Sequence, residues 1–193
     1  YYGAMNFLST HDTPRLLTLL GHEGDAPATR DERAAYRLSE EELVRGTTLL
    51  KLAALILYTF PGSPMLYYGD EAGMQGFEDP FNRGPYPWGH EDAALLRYFR
   101  QLGALRKAHE ALQRGTIDYC AAQGRVLAFR RASNSEKCIT AVNAGEQSAA
   151  LTLPWDAPLA QDALTRQFFF CGDGLLRLTL EPYGAMLLVE AEH

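Results

Sequence analysis

The stretch Ala4-Met5-Asn6-Phe7-Leu8-Ser9-Thr10-His11-Asp12-Thr13-Pro14, with its counterpart Met65-Leu66-Tyr67-Tyr68-Gly69-Asp70-Glu71, decides the fold. Each is a short apolar run ending in a polar cluster, the pattern of a buried strand that gives way to a loop. After the first run, Pro14 suits the first turn of a helix. Leu16, Leu17, Leu19 and Leu20 supply its apolar face and Gly21 stops it. A polar loop over residues 21–38 leads to Ser39-Glu40-Glu41-Glu42, a capping box whose acidic turn also favours the helix dipole. The helix it opens runs to about Thr59, where Pro61-Gly62 breaks it. After the second run comes a loop over 72–90, rich in Gly and Pro, and long enough to suggest function. A third helix over 91–109 shows Leu95, Leu96, Phe99, Leu102 and Leu105 at helical spacing. Strand, helix, strand, helix is the signal of parallel pairing with a right-handed crossover. That topology gathers His11 and Asp12 beside Asp70 and Glu71 at the C-terminal ends of the strands, where barrels of this kind carry their active sites.

Beyond residue 110 the pattern changes to short β-type runs, over 116–121, 125–131, 138–143, 149–153, 167–171, 175–180 and 185–190. Turn signals separate them, among them Gln123-Gly124, Asn143-Ala144-Gly145, Gly172-Asp173-Gly174 and Pro182-Tyr183-Gly184. This spacing predicts an antiparallel β-sandwich. The expected division is residues 1–111 in an α/β part and 112–193 in an all-β domain.

At 193 residues, with 47% apolar and 22% charged, the chain has ample material for a packed core. No apolar run approaches the roughly 18 residues of a membrane span; the longest, over 52–60, reads as a buried helix. The formal charge of −6 argues against nucleic acid as a partner, and the Arg130-Arg131 pair reads as a solvated strand face. Cys120, Cys138 and Cys171 show neither a disulfide framework nor zinc-ligand spacing. Free thiols in a reducing, cytoplasmic compartment are expected. No cofactor and no metal are expected. The opening Tyr1-Tyr2-Gly3-Ala4 lacks an initiator Met and a secretory pattern, which suggests a piece of a longer protein or a processed start.

Taken alone, Thr10-His11-Asp12 fits either a helix cap with a solvated His or a reactive site. Adjacent Asp70 and Glu71 point to opposite sides at a strand end, so one of them is expected to be structural. Phe77, Phe81, Tyr86 and Trp88 suit either a sugar-stacking platform or the apolar filling of a long loop, and filling is the simpler reading.

Together these segments resemble the α-amylase superfamily of glycoside hydrolases. Residues 5–15, Met5-Asn6-Phe7-Leu8-Ser9-Thr10-His11-Asp12-Thr13-Pro14-Arg15, are similar to its strand-seven motif. Residues 60–74 are similar to its strand-eight motif. The loop Asp79-Pro80-Phe81-Asn82-Arg83-Gly84-Pro85-Tyr86-Pro87-Trp88 is similar to the one that follows in the neopullulanase, cyclomaltodextrinase and maltogenic-amylase subgroup. Three motifs in order, with matching spacing, make the resemblance specific across nearly the whole chain.

The resemblance implies the last two βα units of a (β/α)8 TIM barrel, followed by a C-terminal antiparallel β-sandwich. It implies a retaining α-glucan hydrolase acting on maltodextrins, cyclodextrins or starch. Asp12 then matches the transition-state-stabilising carboxylate and His11 the neighbouring hydroxyl ligand. Asp79 and Arg83 match a pair that grips a more distant glucosyl unit, with Trp88 a further substrate-binding candidate. Thr10 stands where the family most often has Asn. The Asp nucleophile and Glu acid/base of that mechanism match no segment here. The chain is therefore expected to be the C-terminal portion of an enzyme, inactive alone and prone to self-association through residues 1–75. The alternative is a non-catalytic carbohydrate-binding or scaffold module that uses the sandwich, with Trp155 and Phe168-Phe169-Phe170 as candidate contacts.

Overall fold

A computed structural model describes residues 3–191. Strands β1 (Met5–Asn6) and β2 (Ser63–Pro64) form a two-stranded sheet. The Ser63 amide donates to the Ala4 carbonyl and the Met65 amide to the Asn6 carbonyl, each at 2.8 Å, so the register advances as parallel pairing requires. The strands expected over 4–9 and 65–68 are thus two residues each, and the second begins before Met65. Beyond the ladder, Tyr67 and Tyr68 cover the guanidinium of Arg15 at 4.3 and 4.5 Å.

Helix α1 (Leu16–Gly21) buries Leu16 and Leu17. Its axis begins after Arg15, whose backbone is extended and whose side chain caps nothing. The expected loop over 21–38 contains a helix, α2 (Arg30–Ala35), closed by a reciprocal Thr29–Glu32 capping box and burying none of its residues. Helix α3 (Glu40–Thr59) opens on the expected box: the Glu42 amide donates to Ser39 Oγ, and the Ser39 amide to Glu42 Oε2 at 2.8 Å. α1 and α3 meet backbone to backbone. A Cβ on Gly46 would lie 2.9 Å from both the Gly21 Cα and the Leu17 carbonyl oxygen, and one on Gly21 would lie 2.7 Å from the Glu42 carbonyl oxygen. The 72–90 loop holds a 3-10 turn (Phe81–Arg83). Helix α4 (Ala93–Ala108) starts where Asp92 Oδ1 accepts from the Ala94 and Leu95 amides. A short α5 (Glu110–Arg114) follows.

The remainder is β-structure: β3 (Thr116–Gln123), β4 (Val126–Ala132), β5 (Lys137–Asn143), β6 (Ala149–Pro154), β7 (Leu159–Asp162), β8 (Phe168–Phe170), β9 (Leu175–Leu180) and β10 (Ala185–Glu190). Six of them pair antiparallel in the order β3-β4-β5-β10-β7-β8, and β6 pairs with β9. Strand β7 was not among the expected runs, because Gln161 and Asp162 break its apolar pattern. One face of the large sheet, through Ala128, Ile139, Ala141 and Leu188, packs with Leu153, Leu176 and Leu180 of the small one. The other face carries Phe129, whose ring meets Phe60 edge-on, and the buried Arg131.

Arg131 corrects the expectation of a solvated pair. Strand alternation places it inward, where Nη1 donates to the carbonyls of Thr59 and Leu112, Nη2 to Gly115 and Nε to Thr116. Arg130, on the opposite face, is half-buried and pairs with Asp118 at 3.0 Å. Trp155 is likewise core, 1% exposed, with its indole N–H donated to the Leu159 carbonyl.

By internal contacts the described residues fall into two compact units. One comprises residues 5–57 and 64–100; the other comprises 3–4, 58–63 and 101–191. Among the described residues, no helix is long and apolar enough to cross a membrane.

Candidate active site

The loop after β1 closes on itself. The Thr10 carbonyl accepts from the Thr13 amide, Thr13 Oγ1 accepts from the Thr10 amide, and Thr10 Oγ1 accepts from the Asp12 amide at 3.1 Å. The fully buried Asn82, on the 3-10 turn, locks this loop from the other side. Its Nδ2 donates to the His11 and Thr13 carbonyls at 2.8 and 2.7 Å. Backbone atoms are thus fixed while the side chains of His11 and Asp12 project outward, 60% and 73% exposed.

Four of the five expected site residues come together there. His11 Nε2 lies 3.3 Å from Asp12 Oδ1. Arg83 sits between two carboxylates, with Nη2 3.7 Å from Asp12 Oδ1 and Nε 3.1 Å from Asp79 Oδ1. Beside Asp79 opens a cleft of about 210 Å³ lined by Arg30, Arg33, Glu78 and Phe81, in which Arg33 and Glu78 pair. Trp88 joins none of these ion pairs. It is 79% exposed, with its ring against Tyr86 at 4.6 Å between centroids. The other loop aromatics divide: Phe77 is buried against His22 and Tyr36, whereas Phe81 is half-buried. Filling is therefore the right reading for Phe77.

Asp70 and Glu71 diverge, as adjacent strand-end residues do. Asp70 is 3% exposed. Its carboxylate accepts from Ser9 Oγ and lies 3.4 Å from Arg15 Nη1. Burial raises the Asp70 carboxyl above its ordinary pKa, while the Ser9 and Arg15 contacts pull it partway back. Glu71 turns back to accept from the Gly69 amide at 2.8 Å.

Sequence reasoning passed over Arg15 and Asn82. Arg15 has no exposed surface and also donates to the Tyr68 carbonyl, so it joins the segments that follow β1 and β2. Its signal was an arginine set directly against the apolar Leu16-Leu17 pair, where a solvated side chain does not belong. Asn82 carried no such signal, since an Asn in a Gly- and Pro-rich loop is ordinary.

Two family models match the chain: the catalytic domain of alpha amylase over residues 2–94, and the C-terminal domain of maltogenic amylase over 121–187. An amylopullulanase of Thermoanaerobacter thermohydrosulfuricus is 39% identical over 131 residues, 68% of this chain and 8% of the relative. A cyclomaltodextrinase of Geobacillus thermopakistaniensis is 36% identical over 190 residues, 95% of this chain and 28% of the relative. The chain therefore spans under a third of either. The crystal structure of an Anoxybacillus alpha-amylase superposes with a TM-score of 0.81 at 24% identity, covering 100% of this chain and 39% of that one. That likeness bears on the fold: the two βα units are the end of a (β/α)8 barrel and the strands after them its C-terminal β-sandwich. With motifs, architecture and both family models in agreement, the chain belongs to the α-amylase superfamily of glycoside hydrolases.

Proposed function

We propose that this chain is the C-terminal portion of a retaining α-glucan hydrolase acting on maltodextrins, cyclodextrins or starch. Asp12 stabilises the transition state, His11 binds a neighbouring hydroxyl, and Asp79 with Arg83 holds a more distant glucosyl unit. Trp88 is a further candidate, an exposed ring against which a sugar can stack. The observation that carries this reading is the constellation itself: an outward carboxylate on a clamped backbone, bridged by Arg83 to a second carboxylate. Hydrogen bonds from ring hydroxyls to such a carboxylate strengthen as positive charge builds on the sugar, which lowers the barrier rather than merely tightening binding. In this reading the Asp nucleophile and Glu acid/base lie outside these 193 residues, so the chain alone turns over no substrate. No cofactor takes part, and neither nucleic acid nor membrane is a partner. The free Cys120, Cys138 and Cys171 support a cytoplasmic setting. Exposed Met5, Phe7, Leu8, Leu19 and Val44 suit a surface that more of the same barrel covers, and through which the isolated chain self-associates.

The test is Asp12→Asn in the complete enzyme. Turnover is expected to fall by about 10²-fold or more with the fold unchanged by circular dichroism; near-normal turnover would remove Asp12 from the mechanism. A second reading, a non-catalytic carbohydrate-binding module, draws on Phe168 and Phe170. They are 56% and 88% exposed at alternate positions of the edge strand β8. Maltodextrin binding that survives Asp12→Asn and Arg83→Ala but fails on Phe168→Ala with Phe170→Ala would favour it.

A further inference from the structure

On the Phe129 and Arg131 side of the large sheet, three side chains converge that the proposed hydrolysis does not use. Cys138 on β5 is fully buried, Glu136 lies just before that strand, and His109 precedes α5. Their donor atoms, one imidazole nitrogen, one carboxylate oxygen and one sulfur, all lie within 4.8 Å of one another. His109 Nδ1 is 2.9 Å from Glu136 Oε2. The second carboxylate oxygen, Oε1, accepts from the Ala111 amide at 2.8 Å, which orients Oε2 toward the imidazole. His109 occupies the N-cap position of α5, yet its side chain makes no capping bond. We propose that His109, Glu136 and Cys138 form a binding site for a zinc-class divalent cation, which ties the start of α5 to β5.

The donor set selects the ion. Calcium and magnesium take oxygen ligands, whereas mixed nitrogen, oxygen and sulfur donors suit zinc and its first-row neighbours. Bond lengths of about 2.0–2.3 Å place tetrahedral donors roughly 3.3–3.8 Å apart, so the N···O pair must open slightly and the widest pair close. Strand β5 fixes Cys138, and the adjustment falls on His109 and Glu136, whose side chains are 20% and 27% exposed. A neutral imidazole, a carboxylate and a thiolate balance a charge of +2, and water can complete a tetrahedral set as the fourth ligand. The Glu136–Ala111 bond serves as the outer contact that holds a ligating carboxylate in place.

Titration of the 193-residue chain with Co²⁺, then Zn²⁺, tests the site. The folded protein is expected to develop a thiolate-to-cobalt charge-transfer band that one equivalent of Zn²⁺ abolishes. Cys138→Ala should remove the band. His109→Gln, which leaves β5 untouched, should weaken Zn²⁺ binding more than about tenfold. Cys120→Ser with Cys171→Ser should keep the band. No thiolate band in the folded protein, or a band that survives Cys138→Ala, would overturn the proposal and leave the trio a hydrogen-bonded helix cap.

Discussion

Asn82 is fully buried, and both hydrogens of its amide go to carbonyls that flank Asp12. A carboxylate on an exposed loop gains nothing from its chemistry unless the backbone beneath it is fixed, because a displacement near 1 Å can cost about 10²-fold in rate. Arg83, the next residue, faces outward and supplies the bridge between Asp12 and Asp79. Two neighbours thus divide the work, one holding the loop and one, in the function proposed above, meeting the sugar. Arg83→Ala in the complete enzyme is expected to raise KM for long maltodextrins more than for short ones, since short substrates need not reach the Asp79 end. A planar guanidinium offers donors that no alanine replaces. Steady-state kinetics over a series of chain lengths reads this, and equal effects at every length would make Arg83 structural. The partners of Asp12 were legible because they sit in contiguous motifs. Asn82 and Arg15 were not, because each acts through a distant backbone carbonyl that no local pattern records.

Among the elements, α3 shows how local and distant signals differ. Its N-terminus was readable from Ser39-Glu40-Glu41-Glu42 alone, since a capping box needs only four residues. Glu42 does more than cap: its carboxylate also accepts from the Tyr36 hydroxyl and the Glu23 amide. The Ser39 amide first, then Tyr36, Ser39 Oγ and His22, hold the Glu42 carboxyl below its ordinary value of 4.5, against some burial that acts the other way. A depressed folded pKa stabilises the fold above the unfolded value and loses that contribution as pH falls through the folded one. Thermal melts should therefore show wild type losing more stability than Glu42→Gln between about pH 5 and about pH 3. Identical losses would mean the carboxylate contributes nothing there. Gly46, by contrast, reads as an ordinary helix interior, where alanine would gain about 1 kcal/mol. The crossing of α1 reverses that sign, because the new Cβ meets backbone at 2.9 Å and neither helix can yield alone. Gly46→Ala is expected to lower the melting temperature; a rise would show that the crossing relaxes freely. Helix α2 stayed hidden for a third reason: it buries nothing, so no apolar period marks it.

At the scale of the molecule, the sandwich depends on residues that precede its first strand. The sequence places the division near residue 112, where β-type runs begin. The contacts of the β-unit reach further back. Gln101 Nε2 donates to the Leu164 carbonyl, Glu110 accepts from Ser135 Oγ, and the Ala111 amide donates to Glu136. Arg131 reaches back to Thr59, and Arg106 donates to the carbonyls of Tyr58, Phe60 and Gly62. A chain beginning at 112 keeps every strand but loses α4, the start of α5 and the Thr59 carbonyl. Glu136 then loses both His109 and Ala111. At about 1 kcal/mol for each internal hydrogen bond, and more where a buried group is left unmade, the loss amounts to about 2–4 kcal/mol. A chain of 101–193 restores Gln101, His109, Glu110 and Ala111, but neither Thr59 nor the Tyr58, Phe60 and Gly62 carbonyls that Arg106 meets. Urea denaturation is expected to rank the midpoints with 101–193 above 112–193, both folding reversibly. Appending Arg131→Leu to each should narrow the gap little, since Arg131 keeps Leu112, Gly115 and Thr116 in both chains. Equal midpoints for the two chains would place the start of the folding unit at the first strand, and the residues before it would then be dispensable to the sandwich.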